Sequence, residues 1–199
     1  MYRQTEIIIL GSASPRRKSL LEELGVKFEI SAADIDENVH AGEHPRELAA
    51  RLACAKALKI AGVNSARFVL GADTDVTIDG EILGKPKDEA DACRLLRLIQ
   101  GRTHTVWGGC ALVNIAKKIE AVIVSETLVT MCAMTQSDIK RYVATGEPFD
   151  KAGAYAVQGI GSQFISHIAG SYPNVVGLDT PRVMALLKEH GVLDGTLSA

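Results

Sequence analysis

The sequence has little charge imbalance and few aromatic residues. Its 22 lysines and arginines nearly balance 24 aspartates and glutamates, which leaves a net charge of −2, and aromatic residues make up only 5% of the chain. Proteins that hold nucleic acid stably present an excess of Lys and Arg on one face. No stable complex with DNA or RNA is therefore expected, and any basic cluster must be local.

Cysteines and long hydrophobic runs are also scarce. The four cysteines lie far apart and form no Cys-x-x-Cys pair, which argues against a zinc ribbon or a disulfide framework and favours reduced thiols. The N-terminal segment carries polar residues before a short apolar run, unlike a signal peptide, and no segment approaches the length of a membrane span. These patterns predict a cytoplasmic protein with no membrane partner.

The chain length of 199 residues suits one sizeable core, or two lobes that share one, and we expect a single α/β domain over residues 1–199. The dipeptide Asp79-Gly80 between two apolar triplets predicts a hairpin, and Thr135-x-x-Asp138 predicts a helix-capping box. Apolar runs predict strands at 6–10, 27–31, from 68 onward, 105–115 and 120–131. Helical periodicity and caps predict helices at 17–24, 45–62, 88–99, 135–144 and 181–190.

The stretch GSASPRRKS, residues 11–19, follows the first apolar run and precedes a helix. It is not a P-loop, because Arg17 stands where the second glycine is needed and Pro15 lacks a backbone N–H. Hydroxyls at Ser12 and Ser14, a helix N-terminus and the pair Arg16-Arg17 nevertheless form the ingredients of an anion site. The same residues are equally typical of a capped helix with solvated arginines.

The stretch VLGADTDVTIDGEILGKP, residues 69–86, places a carboxylate, Asp73, at the end of an apolar strand or within it. A carboxylate there can hold a divalent cation or take a proton from water, and both roles suit phosphoanhydride hydrolysis. Asp75 lies two residues on and can share the metal or bond to backbone at a bulge. Lys85 in the following GKP can face a phosphate or be an ordinary exposed lysine.

Three further residues allow two interpretations each. Lys56, on an otherwise apolar helix face, can point to a buried partner or extend its ammonium to solvent. Glu37, in DIDEN, can ligate a metal or lie on a loop surface. His104, in GRTHTV, resembles a catalytic residue, but a lone histidine before a strand is more often a hydrogen-bonded core or turn residue.

An alternative enzyme class also matches. Residues 73–77 fit the Asp-x-Asp-x-Thr pattern of haloacid-dehalogenase-like phosphatases, whose first aspartate is the nucleophile. That pattern normally follows the first strand of a chain and needs a later acidic pair for magnesium. A mid-chain position without such a pair makes this the second choice.

The ordered set of motifs resembles the Maf family of nucleoside triphosphate pyrophosphatases. The motifs are SASPRR, RLACAKA, GADT, GKP, GRTHTV, DKAGAYAVQGIG and GSYPNVVGL, and they span nearly the whole chain. The resemblance implies an α/β fold with a central mixed, twisted sheet flanked by helices, two lobes around a nucleotide-binding cleft, and kinship to inosine triphosphate pyrophosphatases. It also implies hydrolysis of a nucleoside triphosphate to the monophosphate and pyrophosphate with Mg²⁺ or Mn²⁺, and is compatible with a homodimer.

Carried over residue by residue, the resemblance assigns Asp73 as proton acceptor, with Lys85, Lys56 and Glu37 as further catalytic residues and with Glu37 and Asp73 as metal ligands. The implied substrate-binding residues are Ser12, Ser14, Arg16, Arg17, Thr74 and Gln158. Family branches differ at Arg16, Thr74 and Gln158, and this combination resembles the branch that acts on dTTP and UTP. The amide of Gln158 can pair with a pyrimidine edge, because it offers an acceptor and donors.

The sequence departs from the family pattern at three places. Asp75 replaces an aliphatic residue, Trp107-Gly108-Gly109 replaces a small TG pair, and GLDTP replaces GLP. A carboxylate at Asp75 can raise the pKa of the neighbouring base or recruit a second metal. Three hypotheses follow: a pyrophosphatase that sanitises the nucleotide pool, with the family's link to septum inhibition; a phosphatase that uses Asp73 as nucleophile; and a nucleotide-binding regulator without catalysis.

Overall fold

The computed structural model describes residues 2–195. The strands are β1 (Arg3–Gln4), β2 (Ile8–Gly11), β3 (Phe28–Ile30), β4 (Val69–Ile78), β5 (Glu81–Leu83), β6 (Thr103–Asn114), β7 (Ile119–Met131), β8 (Ile165–Ala169) and β9 (Leu193–Asp194). The helices are α1 (Pro15–Glu23), α2 (Pro45–Ala61), α3 (Glu89–Ile99), α4 (Gln136–Val143), α5 (Tyr172–Val176) and α6 (Thr180–Glu189). Short 3₁₀ helices cover Glu147–Asp150, Ala152–Ala154 and Ile160–Phe164.

The strands form a central mixed sheet, which confirms the predicted α/β class. Its order is β3-β2-β4-β6-β7-β8, with β5 paired to β4. Strand β2 runs parallel to both β3 and β4, whereas β5 is antiparallel to β4 and β8 is antiparallel to β7. The short strands β1 and β9 form a separate antiparallel pair.

The local signals in the sequence act as predicted at several element ends. Asp79 and Gly80 both adopt positive φ, which a two-residue hairpin turn requires, and connect β4 to β5. Asp88 caps α3 by accepting from the backbone N–H of Asp91, and Thr135 forms the capping box of α4 with Asp138. Strand β2, predicted at 6–10, begins two residues later than expected: it starts at Ile8, and Ile7 is 47% exposed.

The chain divides into two compact units made of interleaved segments. The first comprises Met1–Asp73, Gly108–Val124 and Gly177–Ala199, and the second comprises Thr74–Trp107 and Ser125–Val176. In the first unit, α2 packs on the sheet through small side chains. The core there contains Ile9, Ala53, Ala57, Ile60, Ala61, Val69, Ala111 and Val113.

The second unit has an apolar core of its own. Helices α3 and α4 bury one face each in it, together with the inner positions of the strands and the tyrosines Tyr142 and Tyr155. The glycine-rich stretch after Gly146, to which the sequence assigned no element, contains the three 3₁₀ helices, β8 and α5. Within residues 2–195, no helix combines the length and apolarity needed to cross a membrane.

Candidate active site

The loop between β2 and α1 is built around a helix N-terminus. Strand β2 is fully buried, and Ser14 caps α1 by accepting from the N–H of Arg17. Pro15 occupies the first helical turn, where its missing N–H costs nothing. Because the first turn contains no acidic residue, the positive end of the helix is not neutralised by its own side chains. The loop can therefore bind an anion, with Arg16 and Arg17 on the same helix.

Arg17 is held in place by its own neighbours. Its Nη1 donates to Ser12 Oγ at 2.9 Å and its Nε donates to the carbonyl of Gly177 at 3.0 Å. Burial lowers the pKa of Arg17 from its usual value, whereas the nearby charges of Asp73 and Glu37 raise it. Since a guanidinium remains charged under all ordinary conditions, this is a fixed cation that faces the anionic residues of the site.

Lys56 joins two carboxylates from different segments. Its Nζ lies 2.6 Å from Asp73 Oδ1 and 2.7 Å from Glu37 Oε1. Lys56 is on α2 and is 9% exposed, Asp73 is within β4 and is 7% exposed, and Glu37 lies on the loop before α2. Burying an ion pair is favourable only when the charges are well matched. Two carboxylates thus share one ammonium, and the negative charge that this leaves can attract a further cation.

The backbone of α2 approaches β4 because residue 71 is glycine. A Cβ at Gly71 would lie 2.2 Å from the carbonyl oxygen of Ala53, far inside contact distance, so any other residue would force the helix away. This approach brings Lys56, one turn beyond Ala53, within reach of Asp73, two residues beyond Gly71. The glycine of the GADT motif thus determines the position of the ion pair.

Asp73 lies within a strand and not at its end. Strand β4 continues to Ile78, whereas its parallel neighbour β2 stops at Gly11, opposite Gly71. Asp73 therefore extends past the end of β2, on the side where the Ser12–Arg17 loop begins. Parallel α/β sheets place ligands at the carboxyl ends of their strands, and this arrangement follows that rule.

Two groups of predicted site residues are thus brought together within the first unit. Ser12, Ser14 and Arg17 form one hydrogen-bonded group, and Glu37, Lys56 and Asp73 form the other. Arg16 is half-buried on α1. The other three predicted residues belong to the second unit: Thr74 is half-buried in β4, and Lys85 and Gln158 are exposed on loops.

Lys85 and Gln158 belong to two motifs that a backbone hydrogen bond connects. The carbonyl of Gly84, next to Lys85, accepts from the N–H of Gly153 at 3.1 Å. This bond joins the GKP motif to the DKAGAY motif inside the second unit. Gln158 lies between the 3₁₀ helices Ala152–Ala154 and Ile160–Phe164.

Comparisons with known proteins identify the family of the chain. The family profile described as Maf-like protein matches residues 7–190. The chain belongs to the Maf family. Its relatives include two bacterial proteins named dTTP/UTP pyrophosphatase. That of Pelotomaculum thermopropionicum is 45% identical over 184 residues, which is 92% of this chain and 96% of the relative. That of Bacillus cereus strain AH820 is 46% identical over 185 residues, 93% of this chain and 96% of the relative.

A solved structure supports the fold of this Maf protein. The Ham1 protein of Staphylococcus aureus aligns with a TM-score of 0.52 at 16% identity, covering 93% of this chain and all (100%) of that one. At this identity the likeness extends to the fold alone. This alignment confirms the predicted similarity of fold.

The carboxylates of this Maf protein fit a divalent cation. Glu37 and Asp73 each use one oxygen on the same Lys56 Nζ, so the two side chains converge, and carboxylate oxygens are the donors that Mg²⁺ and Mn²⁺ prefer. Among residues 2–195, no group of three or more His, Cys, Asp or Glu side chains has the spacing of a metal site. Two carboxylates are nevertheless enough for Mg²⁺, which usually completes its shell with water and substrate phosphates.

The sequence interpretation missed two neighbours of Arg17. Gly177 accepts from Arg17 Nε and precedes the departure GLDTP, and the thiol of Cys110 is buried near the same guanidinium. Burial raises the pKa of Cys110 to about 12, which disfavours its thiolate. Of these two residues, only Gly177 could have been found from the sequence, because it belongs to the motif GSYPNVVGL.

Proposed function

We propose that this Maf protein hydrolyses dTTP and UTP to the monophosphate and pyrophosphate. The observation that carries the proposal is the buried contact between Lys56 and Asp73, joined by Glu37 and close to Arg17. The names of the relatives, dTTP/UTP pyrophosphatase, support this substrate class. The proposed role is removal of unwanted pyrimidine triphosphates from a cytoplasmic nucleotide pool, and the family's link to septum inhibition and a homodimeric state belong to the same proposal.

In the proposed reaction, water attacks the α-phosphorus, and the bond between that phosphorus and the oxygen that bridges the α- and β-phosphates breaks. This oxygen leaves with the pyrophosphate. Asp73 accepts the proton of the water. Lys56 occupies Oδ1 and orients the side chain, which leaves Oδ2 as the acceptor. A positioned general base typically contributes a factor of about 100 to 10,000 in rate.

The cationic residues bind and stabilise phosphate charge. Arg17, Arg16 and the N-terminus of α1 bind the phosphates, with Ser12 and Ser14 fixing Arg17 and the helix end. Lys85 stabilises the charge that develops on the leaving pyrophosphate. Glu37 and Asp73 would hold Mg²⁺ or Mn²⁺, which would neutralise phosphate charge when bound. Thr74 and Gln158 are the proposed contacts to the nucleoside.

The test is a product analysis with purified protein, Mg²⁺ or Mn²⁺, and a panel of dTTP, UTP, CTP, GTP and 7-methyl-GTP. Pyrophosphate and orthophosphate are measured separately for the wild type and Asp73→Asn. Pyrophosphate from dTTP and UTP, lost in Asp73→Asn, is the expected result. Orthophosphate with phosphate trapped on Asp73 would instead support the phosphatase alternative, and binding without turnover would support a regulator.

A further inference from the structure

The carboxylate of Glu147 holds the main chain on one side of Gln158. Its Oε1 accepts from the N–H of Ile160 at 2.9 Å and its Oε2 accepts from the N–H of Gly161 at 2.8 Å. Oε2 also accepts from the hydroxyl of Tyr142 at 2.7 Å. Hydrogen bonds to an ionised acceptor are stronger than neutral ones. One side chain thus fixes two consecutive backbone groups just after Gln158.

Tyr142 holds the main chain on the other side. Its hydroxyl accepts from the N–H of Ala156 at 3.0 Å, and its ring packs 5.5 Å from that of Phe164. Tyr142 is only 2% exposed, so this hydroxyl is supported by the core of the second unit. The Tyr142–Glu147 pair therefore clamps both ends of the segment 156–161, in the middle of which Gln158 is exposed.

Two glycines of this segment make the clamp possible. Gly159 has a φ of 84°, and a Cβ there would lie 2.3 Å from Glu147 Oε1. A Cβ at Gly161 would lie 2.4 Å from the Tyr142 hydroxyl oxygen. The left-handed φ of Gly159 and the backbone carbonyl oxygen of Ala156, 2.5 Å from a Cβ at Gly161, make other residues unfavourable at these two positions. The glycines of QGIG thus allow the close approach of the backbone to the Tyr142–Glu147 pair.

A glutamine needs such support to distinguish bases. Its amide carries an acceptor on one side and donors on the other, and a half-turn of the terminal group exchanges them. Uracil and thymine present an N–H beside a carbonyl, whereas cytosine presents a ring nitrogen beside an amino group. A freely moving amide can pair with either edge, so a preference for one edge depends on a fixed approach of the residue that carries it.

We propose that Tyr142 and Glu147 are positioning residues that fix the segment 156–161 and thereby set the preference of Gln158 for uracil or thymine over cytosine. This inference rests on the proposed function. The pair acts through the backbone and does not touch the nucleotide. Loss of the clamp should leave the reaction chemistry in place while weakening discrimination between bases.

The test compares kcat/KM for UTP and CTP in the wild type, Tyr142→Phe and Glu147→Gln. Each variant keeps the shape of the side chain and removes hydrogen bonds to the loop. We expect the ratio of kcat/KM for UTP to that for CTP to fall about 5- to 10-fold, the value of one or two hydrogen bonds. Hydrogen exchange at the amides of Ala156, Ile160 and Gly161 should become faster in the same variants.

Asp138→Asn is the matched control. Asp138 lies on the same helix as Tyr142 and supports its cap without contacting the segment 156–161. It should lower thermal stability and leave the UTP to CTP ratio unchanged. Absence of pyrophosphate release by the wild type would overturn the proposed function itself. An active wild type with an unchanged UTP to CTP ratio in both variants would overturn the positioning role alone. If Tyr142→Phe does not fold, the ratio measured for Glu147→Gln tests the positioning role by itself.

Discussion

Lys56 is a buried cation whose charge is compensated by two carboxylates. The side chain lies on α2, where helical periodicity alone places it on an apolar face. From the sequence, this position was equally compatible with an ammonium that reaches solvent. The partners Asp73 and Glu37 come from a strand and a loop that are distant in sequence, so only the three-dimensional structure identifies the pair.

Replacing Lys56 by Met should destabilise the protein by about 3 kcal/mol, because it leaves Asp73 as a buried charge without its partner. The double variant Lys56→Met/Asp73→Leu should regain about 2 kcal/mol of that loss and remain inactive. Chemical denaturation and an activity assay measure both effects. Lys59→Met, on the exposed side of the same helix, is the control. A double variant as unstable as Lys56→Met would show that the charge of Asp73 is not the cause.

His104 is a core residue in this structure, as the sequence favoured. Its Nε2 lies 2.8 Å from the Tyr155 hydroxyl, and it is 2% exposed. Burial lowers the pKa of His104 from 6.5 to about 4. The unfolded chain therefore takes up a proton at a higher pH than the folded chain does, which makes unfolding easier as the pH falls between these values.

The free energy of unfolding should consequently decrease by up to about 3 kcal/mol as the pH falls from the ordinary histidine pKa towards that of buried His104. His104→Gln, which has no titrating group, should lack this part of the decrease. Urea denaturation of both proteins at a neutral pH and at a moderately acidic pH measures the difference. Equal losses of stability in the two proteins would contradict the assignment.

At the scale of elements, glycines set the distance between α2 and the sheet. Besides Gly71, a Cβ at Gly109 would lie 2.0 Å from the carbonyl oxygen of Ala49. The helix thus rests directly on two strand backbones. This packing explains why the helix carries alanines at its buried positions, including Ala49, Ala53 and Ala57.

Gly71→Ala should displace α2, lower the stability by about 1 to 3 kcal/mol as overpacking does, and reduce activity further by separating Lys56 from Asp73. Gly62→Ala is the control at the end of the same helix, where φ is −56° and the nearest atoms lie at 3.5 Å, an ordinary contact distance. That variant should be nearly neutral. Thermal unfolding and kcat distinguish the two. A neutral effect of Gly71→Ala would show that the helix is not held by this contact.

Elements with strong local signals were predictable from the sequence, whereas those formed by tertiary contacts were not. The hairpin at Asp79-Gly80 and the capping box at Thr135 are specified by neighbouring residues. Strand β8 is an edge strand of five residues held by pairing with β7, and its sequence has no clear alternation. The grouping of Ser12 with Arg17 follows from a local loop, but the bond from Arg17 to Gly177 spans most of the chain.

In the molecule as a whole, we propose that residues 1–199, of which Met1 and residues 196–199 lie outside the described part of the chain, form one folding domain. Each compact unit is assembled from segments that alternate along the chain, and the family profile spans residues 7–190 as one match. A unit of this kind cannot be completed without the rest of the chain. Calorimetry should therefore give one transition with equal calorimetric and van't Hoff enthalpies, and two separate transitions would contradict the proposal.

The proposed reaction requires that water attacks the α-phosphorus. The decisive measurement is hydrolysis of UTP in water enriched in heavy oxygen, followed by mass spectrometry of the products. We expect the label in UMP and unlabelled pyrophosphate, with turnover lost in Asp73→Asn. Label in pyrophosphate, or release of labelled orthophosphate, would place the attack at another phosphorus and overturn the proposed reaction.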